Sequence, residues 1–160
     1  MSYSAYAVAN AFIRRAKEGK IFNLSPMKLQ KLLFFAQAWH IKHTEGHEPL
    51  LDDTFARWAH GPVVPSLYHE FKAFGFRDIN REATTLAIGP EMDVSVNIPI
   101  IPETDHSAWG LVDAIIHKYG RLSATALSAM THQEGSAWAK KSSDGSPITI
   151  EDILADETIK

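Results

Sequence analysis

The chain has no cysteine among its 160 residues. Disulfide bonds and thiolate metal sites are therefore excluded, and a reducing compartment is the natural expectation. No apolar run approaches the ~20 residues that a membrane-spanning helix needs. The opening residues, Met1-Ser2-Tyr3-Ser4, lack the basic start and apolar stretch of a signal peptide. These absences predict a cytoplasmic protein that does not contact a membrane.

A strong positive charge is also lacking, because the formal net charge is −3. Non-specific binding to nucleic acid would therefore have little electrostatic drive. The charge is uneven: residues 1–50 carry seven Lys or Arg against three Asp or Glu, whereas residues 51–105 carry four against nine. The basic third is either an ordinary solvated face or a docking surface for an acidic protein. Its candidate partner-binding cations are Arg14, Arg15, Lys28 and Lys31.

Signatures of catalysis are scarce as well. The chain has no glycine-rich loop to hold a phosphate and no nucleophilic serine between glycines in a strand–turn–helix elbow. The nearest approach to a metal site is His40, His43 and His47, which share a face only if their helix continues past Gly46. A metal-dependent enzyme using these histidines is an alternative. The favoured interpretation is a protein with no catalytic residues, no metal and no cofactor.

A DNA-binding repressor is a third functional class. A short turn joins the helices predicted over residues 105–119 and 123–131, as in a helix–turn–helix. The second helix carries no Lys or Arg, which a recognition helix needs for contacts with phosphate. DNA binding is therefore not expected.

What the chain does contain is one helix that is apolar on nearly every side, predicted from Pro26 to His43. Ser25 suits the N-cap position, and proline is well tolerated at the first helical position. A helix without a polar face must be enclosed by other elements. Its polar Gln30 and Gln37 are expected to satisfy backbone groups of neighbouring loops, with partner contact as the alternative.

The remaining elements follow from caps and hydrophobic spacing. Helices are predicted over residues 4–18, 64–74, 104–119, 123–131, 136–140 and 149–157. Alternating apolar residues over 92–98 predict a half-buried strand, which we expect to pair with a short strand over 54–59. The sequence thus indicates one compact, mainly α (α+β) domain over residues 1–160. It has a buried central helix, a small antiparallel strand pair and a peripheral tail over 142–160.

Aromatic residues mark two further segments. Trp58 precedes a rigid turn predicted over His60, Gly61 and Pro62, and with His60 and Tyr68 it forms a second candidate binding surface. Trp138 follows a glycine stop and is expected in the core, although an indole with one exposed edge also suits an interface anchor.

Three blocks occur in a fixed order: MKLQKLLFFAQAW over 27–39, FARWAHGPVVPSLY over 55–68, and LSAMTHQEGSAW over 127–138. In this combination, which spans residues 20–140, they resemble the Panacea domain of SocA-like antitoxins. The third block departs slightly, since the family often has proline where Ala137 stands. The motif residues to which we assign a structural role are Gln30, Gln37, Trp39, Gly61, Pro62, His132 and Trp138.

The resemblance implies an antitoxin of a bacterial or phage-borne toxin–antitoxin pair, which binds its cognate protein toxin in a hetero-complex. One branch of the family instead works as a proteolytic adaptor that delivers its toxin to a AAA+ protease, and this is an alternative. The family motifs could build only the scaffold, leaving specificity to irregular segments such as residues 76–104.

Overall fold

A computed structural model describes residues 2–160 and shows an α+β fold. In this part of the chain the α-helices are α1 (Ala5–Lys17), α2 (Pro26–His43), α3 (Pro65–Phe71), α4 (His106–Tyr119), α5 (Ala124–Thr131) and α6 (Ile150–Leu154). The strands are β1 (Ala56–Trp58), β2 (Gly61–Val63), β3 (Thr85–Ile88) and β4 (Val94–Asn97). Single 3-10 turns cover Lys72–Phe74 and Trp138–Lys140. None of the helices in residues 2–160 combines the length and the apolar character needed to cross a bilayer.

The central helix α2 has the predicted bounds. Ser25 caps its first turn by accepting a hydrogen bond from the Lys28 amide, and Pro26 occupies its first position. Twelve of its eighteen residues are buried, and it contacts each of the other five helices and β2. The absence of a polar face on α2 is therefore explained by its position at the centre of the core.

The strands differ from the predicted pairing. β1 pairs with β2 through the two-residue turn Ala59–His60, so Gly61 and Pro62 belong to a strand rather than to the turn itself. β3 pairs with β4, with Leu86 opposite Val96. The expected pairing of residues 92–98 with 54–59 is wrong. Each strand instead pairs with a near neighbour in sequence, which requires only a short loop closure.

The C-terminal segment takes part in the core. Ile148, Ile153 and Ile159 are all buried, and α6 packs on α2. Thr149 and Asp152 form a reciprocal capping box that begins α6. The peripheral position expected for residues 142–160 does not describe these buried side chains.

Candidate interaction surfaces

The two glutamines of α2 hold loops against the central helix. The Gln30 amide donates to Val64 O at 3.1 Å and accepts from Val64 N at 2.9 Å. The Gln37 oxygen accepts from the amides of Leu50 and Leu51, and its amide donates to Leu51 O. Both side chains are buried and bonded to backbone groups, which confirms the expected role of holding neighbouring loops.

Trp39 has a comparable structural position at the other end of α2. Its indole N–H donates to the Tyr119 hydroxyl at 2.8 Å. The Tyr119 ring stacks on Phe35 with a centroid distance of 4.3 Å. This contact joins α2 to the last turn of α4.

Residues of the third sequence block, 127–138, hydrogen-bond to the β1–β2 hairpin. The Trp138 indole donates to Trp58 O at 2.9 Å, and His132 Nε2 lies 3.0 Å from Ala59 O. Gly61 has a φ of +114°, and a Cβ at this position would lie 2.7 Å from Thr131 Oγ1. Only glycine meets both requirements. The hairpin is thereby fixed to the end of α5 and to the turn that follows it.

Arg57 is a buried structural residue whose importance the sequence did not reveal. Its side chain is fully buried, and its five N–H groups each find an acceptor. These acceptors are the carbonyls of Ala137, Trp138 and Pro147, the Ser146 hydroxyl and the Asp152 carboxylate. The one available signal was an arginine at the centre of a short apolar strand.

The basic surface expected near α1 is largely neutralised. Arg14 pairs with Glu103, and Arg15 pairs with Glu18 and Asp113. Both guanidinium groups also lie over the Trp109 ring, at 5.5 and 4.4 Å from its centroid. These arginines therefore clamp α4 to α1 and present little unpaired charge to an acidic partner.

Lys28 and Lys31 are buried, which corrects their assignment to a basic docking surface. Lys28 is 3% exposed, and its ammonium donates to the carbonyls of Phe22 and Gly120 at 2.7 Å each. Lys31 is 1% exposed, and its ammonium donates to Pro62 O at 3.1 Å. Burial lowers the pKa of Lys31 to about 8. The packing of β2 and of the α4–α5 turn on α2 buries both side chains.

Trp58, His60 and Tyr68, the second predicted surface, line one cavity of about 580 Å³. The rings of Trp58 and Tyr68 meet edge to face with a centroid distance of 4.9 Å. Phe76 lies at the same cavity and is almost fully exposed. Its lining also includes Lys31, together with the first residues of α2 and of α5. The structure thus brings one of the four predicted cations, Lys31, to the predicted aromatic surface.

The β3–β4 hairpin is a second unusual surface. Cross-strand partners Leu86 and Val96, and likewise Ile88 and Val94, lie on one face, because paired residues share a side of the sheet. Met92 and Ile98 continue the alternation at either end. All six side chains are between 51% and 79% exposed. The prediction of a half-buried strand over 92–98 is therefore wrong, since every residue of β4 is exposed.

The three histidines of the alternative metal site do not form a cluster. α2 ends at His43, and Glu45 and Gly46 both adopt positive φ before His47. Across residues 2–160, no group of three or more His, Cys, Asp or Glu side chains is placed to hold a metal ion. His40 Nε2 is buried and has no hydrogen-bond partner within the described chain.

Comparison with known proteins gives a consistent result. The family model "Antitoxin SocA-like, Panacea domain" matches residues 29–139, from the first turn of α2 to the 3-10 turn that contains Trp138. The chain is 33% identical over 138 residues to antitoxin SocA of Caulobacter vibrioides (strain NA1000 / CB15N). That alignment covers 86% of this chain and 69% of the relative. No solved structure gives a significant match.

Proposed function

The chain belongs to the SocA-like Panacea-domain family of antitoxins, and from this premise we propose that it neutralises a cognate protein toxin by binding it directly. The observation that carries the proposal is the exposed apolar face of the β3–β4 hairpin. Four large apolar side chains on one face of two strands, with exposed Met92 in the turn and Ile98 directly after β4, exceed the scattered exposed residues that are normal on a monomer. Such a patch is typical of a protein-binding surface.

The hairpin has the properties of a docking element rather than of a core element. Thr85 and Ala87 are half-buried, whereas Leu86 and Ile88 are exposed, so the apolar face of β3 is turned away from the body of the protein. Each strand also has one edge without a strand partner within residues 2–160. A toxin could cover the apolar face, extend the sheet at an edge, or do both.

The charge around the hairpin indicates the complementary toxin surface. Glu91 and Asp93 lie exposed in the turn between β3 and β4, and the sequence has no Lys or Arg over residues 82–105. The proposed toxin surface is therefore an apolar patch with a basic rim. Like-charged rims disfavour a second copy of this chain as the occupant.

Removing the apolar pair at the centre of the hairpin tests this proposal. We expect the double substitution Leu86→Ser and Val96→Ser to weaken the complex with the toxin encoded by the adjacent gene by at least about ten-fold, because two interface anchors are lost. The readouts are titration calorimetry and rescue of growth on co-expression. Stability should change little, since both side chains are exposed.

Phe22→Ser is the matched control, because Phe22 and Leu86 are both 72% exposed and Phe22 lies outside the hairpin. The control should bind toxin as the unaltered protein does. Equal affinity of the double variant and the control would contradict the hairpin as the docking surface. Full toxicity on co-expression, with no complex on gel filtration, would contradict the proposed function itself.

The adaptor alternative makes a different prediction about the toxin. An inhibitor that acts by covering the toxin leaves its cellular half-life unchanged or longer. An adaptor for a AAA+ protease shortens that half-life, and the shortening disappears when the protease is deleted. A pulse–chase measurement with and without this protein separates the two.

A further inference from the structure

The cavity beside β1 and α3 has features that toxin docking on the β3–β4 hairpin does not use. We propose that this cavity is a binding site for a carboxylate carried on a flat apolar body, with Lys31 as the group that recognises the anion. The carboxylate belongs either to a free small molecule or to a side chain or terminus of the bound toxin. Both sources present the same chemistry to Lys31.

The first argument is the volume and lining of the cavity. At about 580 Å³ it falls within the range of small-ligand sites. Its walls include Pro26, Met27 and Val63 and the rings of Trp58 and Tyr68. Two rings packed edge to face leave flat apolar surfaces that suit an aromatic or other planar group.

The second argument is the charge of the lining. It contains Lys31, Arg57, His60 and Lys72 but no aspartate or glutamate. Arg57 is fully occupied by its five acceptors, as described above. Lys31 differs, because its ammonium donates to one carbonyl and forms no ion pair within residues 2–160. Two of its three N–H groups therefore remain for an anion.

The third argument comes from the backbone. Met27 and Thr125 are the second residues of α2 and α5, and both line the cavity. Amide groups in the first turn of a helix have no intrahelical acceptor, and the positive end of the helix dipole favours an anion nearby. Two helix N-termini thus add to the field of Lys31 at one site.

A buried cation without a carboxylate partner lowers the stability of a fold, because desolvation is not compensated. Desolvation by burial is the cause of the lowered pKa of Lys31. Perturbed ionisable groups in a cleft are typical of binding and catalytic sites. A bound carboxylate would supply the missing partner.

The test compares 1-naphthylacetate with its neutral amide, 1-naphthylacetamide, by titration calorimetry on the unaltered protein. We expect the carboxylate to bind at least about ten-fold more tightly than the amide. In amide-proton NMR spectra the largest shifts should fall on Met27, Thr125 and the Trp58 indole. Equal binding of the two compounds, or shifts elsewhere, would overturn the proposal without any variant being made.

Lys31→Met gives the second arm, because methionine keeps an unbranched apolar stem and removes only the charge. In this variant the preference for the carboxylate should disappear. Lys20→Met removes an exposed charge outside the cavity lining and should retain the preference. A preference that persists in Lys31→Met would exclude Lys31 as the recognising group.

The source of the carboxylate is settled by adding 1-naphthylacetate to the preformed complex with toxin. Displacement of the toxin, together with weaker toxin binding by Lys31→Met, identifies a toxin carboxylate. A ternary complex with unchanged toxin affinity identifies a free small molecule. The comparison of carboxylate and amide needs no toxin, so this proposal and the proposed function can fail separately.

Discussion

Three buried cations differ in how their charge is compensated. Arg57 has a carboxylate and four further acceptors, and Lys28 has two backbone carbonyls. Lys31 has one carbonyl. Since a charge removed from water costs stability unless hydrogen bonds or an opposite charge offset it, Lys31 is the least compensated of these three cations.

Lys31→Met is therefore expected to raise the free energy of unfolding at pH 7 by about 1–2 kcal/mol, after the loss of one hydrogen bond to Pro62 is deducted. Burial lowers the pKa of Lys31 to about 8 in the folded chain, against an ordinary lysine value of 10.5. Between these values the unfolded chain binds more protons, so stability of the unaltered protein rises with pH. The difference in free energy of unfolding between Lys31→Met and the unaltered protein should therefore be largest below pH 8. It should become smaller as the pH rises towards 10.5. Urea unfolding at pH 7 and pH 10 measures both effects.

Lys28→Met is the matched control for this comparison. Burial also lowers the pKa of Lys28, but the substitution leaves two carbonyls without their charged donor, so stability should fall by about 1–3 kcal/mol. If both substitutions destabilised the protein to the same extent, Lys31 would be a compensated structural cation.

For single residues, the sequence predicted the contacts of the two glutamines of α2 but not the burial of its two lysines. Gln30 and Gln37 stand within an apolar run, and a buried amide on such a helix has few options besides backbone groups. Lys28 and Lys31 stand in the same run, yet their charge suggested exposure. Their burial depends on β2 and on the α4–α5 turn, which come from residues 31 and 92 positions further along the chain.

Among the elements, the β3–β4 hairpin differs most from the rest. It consists of two four-residue strands, and an isolated two-stranded sheet is marginally stable in water. Its largest apolar side chains contribute nothing to the core. The hairpin is thus the part of the fold whose order depends most on what covers it.

Hydrogen exchange should show this dependence directly. In the free protein, backbone amides of β3 and β4 are expected to exchange orders of magnitude faster than those of α2, because local opening of the hairpin exposes no core. Binding of the toxin should slow exchange in residues 85–97 more than in any other segment. Protection that appeared only around the cavity beside β1 would instead place the toxin there.

Helix boundaries were largely predictable from the sequence, whereas strand partners were not. Ser25, Ser123 and Thr149 cap α2, α5 and α6 as local hydrogen-bonding rules require. The alternation over 92–98 correctly indicated two unlike faces. It could not show that both faces of β4 are exposed, because alternation records a difference between side chains and not their surroundings. Which strands pair and which strand faces are buried depends on contacts between segments that are distant in sequence.

At the level of the whole molecule, Arg57 joins the middle of the chain to its last third. Three of its five acceptors lie on Ser146, Pro147 and Asp152. The backbone adds to this junction, since the Arg57 amide donates to Ser146 O at 2.9 Å. Residues 142–160 therefore complete the environment of β1.

Ending the chain after Lys141 should consequently unfold it or remove at least about 3 kcal/mol of stability, because a buried guanidinium loses its carboxylate. Arg57→Met in the full-length chain should lose a comparable amount, since five acceptors around a fully buried side chain are left without their donor. Circular dichroism during urea unfolding measures both.

Arg77→Met, at an exposed arginine, is the reference and should change stability by no more than about 0.5 kcal/mol. A shortened chain as stable as the full-length protein would show that the last segment is dispensable. A large loss from shortening combined with a small loss from Arg57→Met would assign the effect to the buried isoleucines instead.

The separation between Arg57 and its acceptors also has a consequence for biosynthesis. The acceptors follow Arg57 by 80 to 95 residues in the sequence. The ribosome needs on the order of 10 s to add that stretch, and the hydrogen bonds of Arg57 cannot form before then. During this interval the guanidinium stays hydrated, and the nascent polypeptide cannot complete its tertiary structure. Protection of the cell would begin only when translation is nearly finished, and a prematurely terminated product would give none.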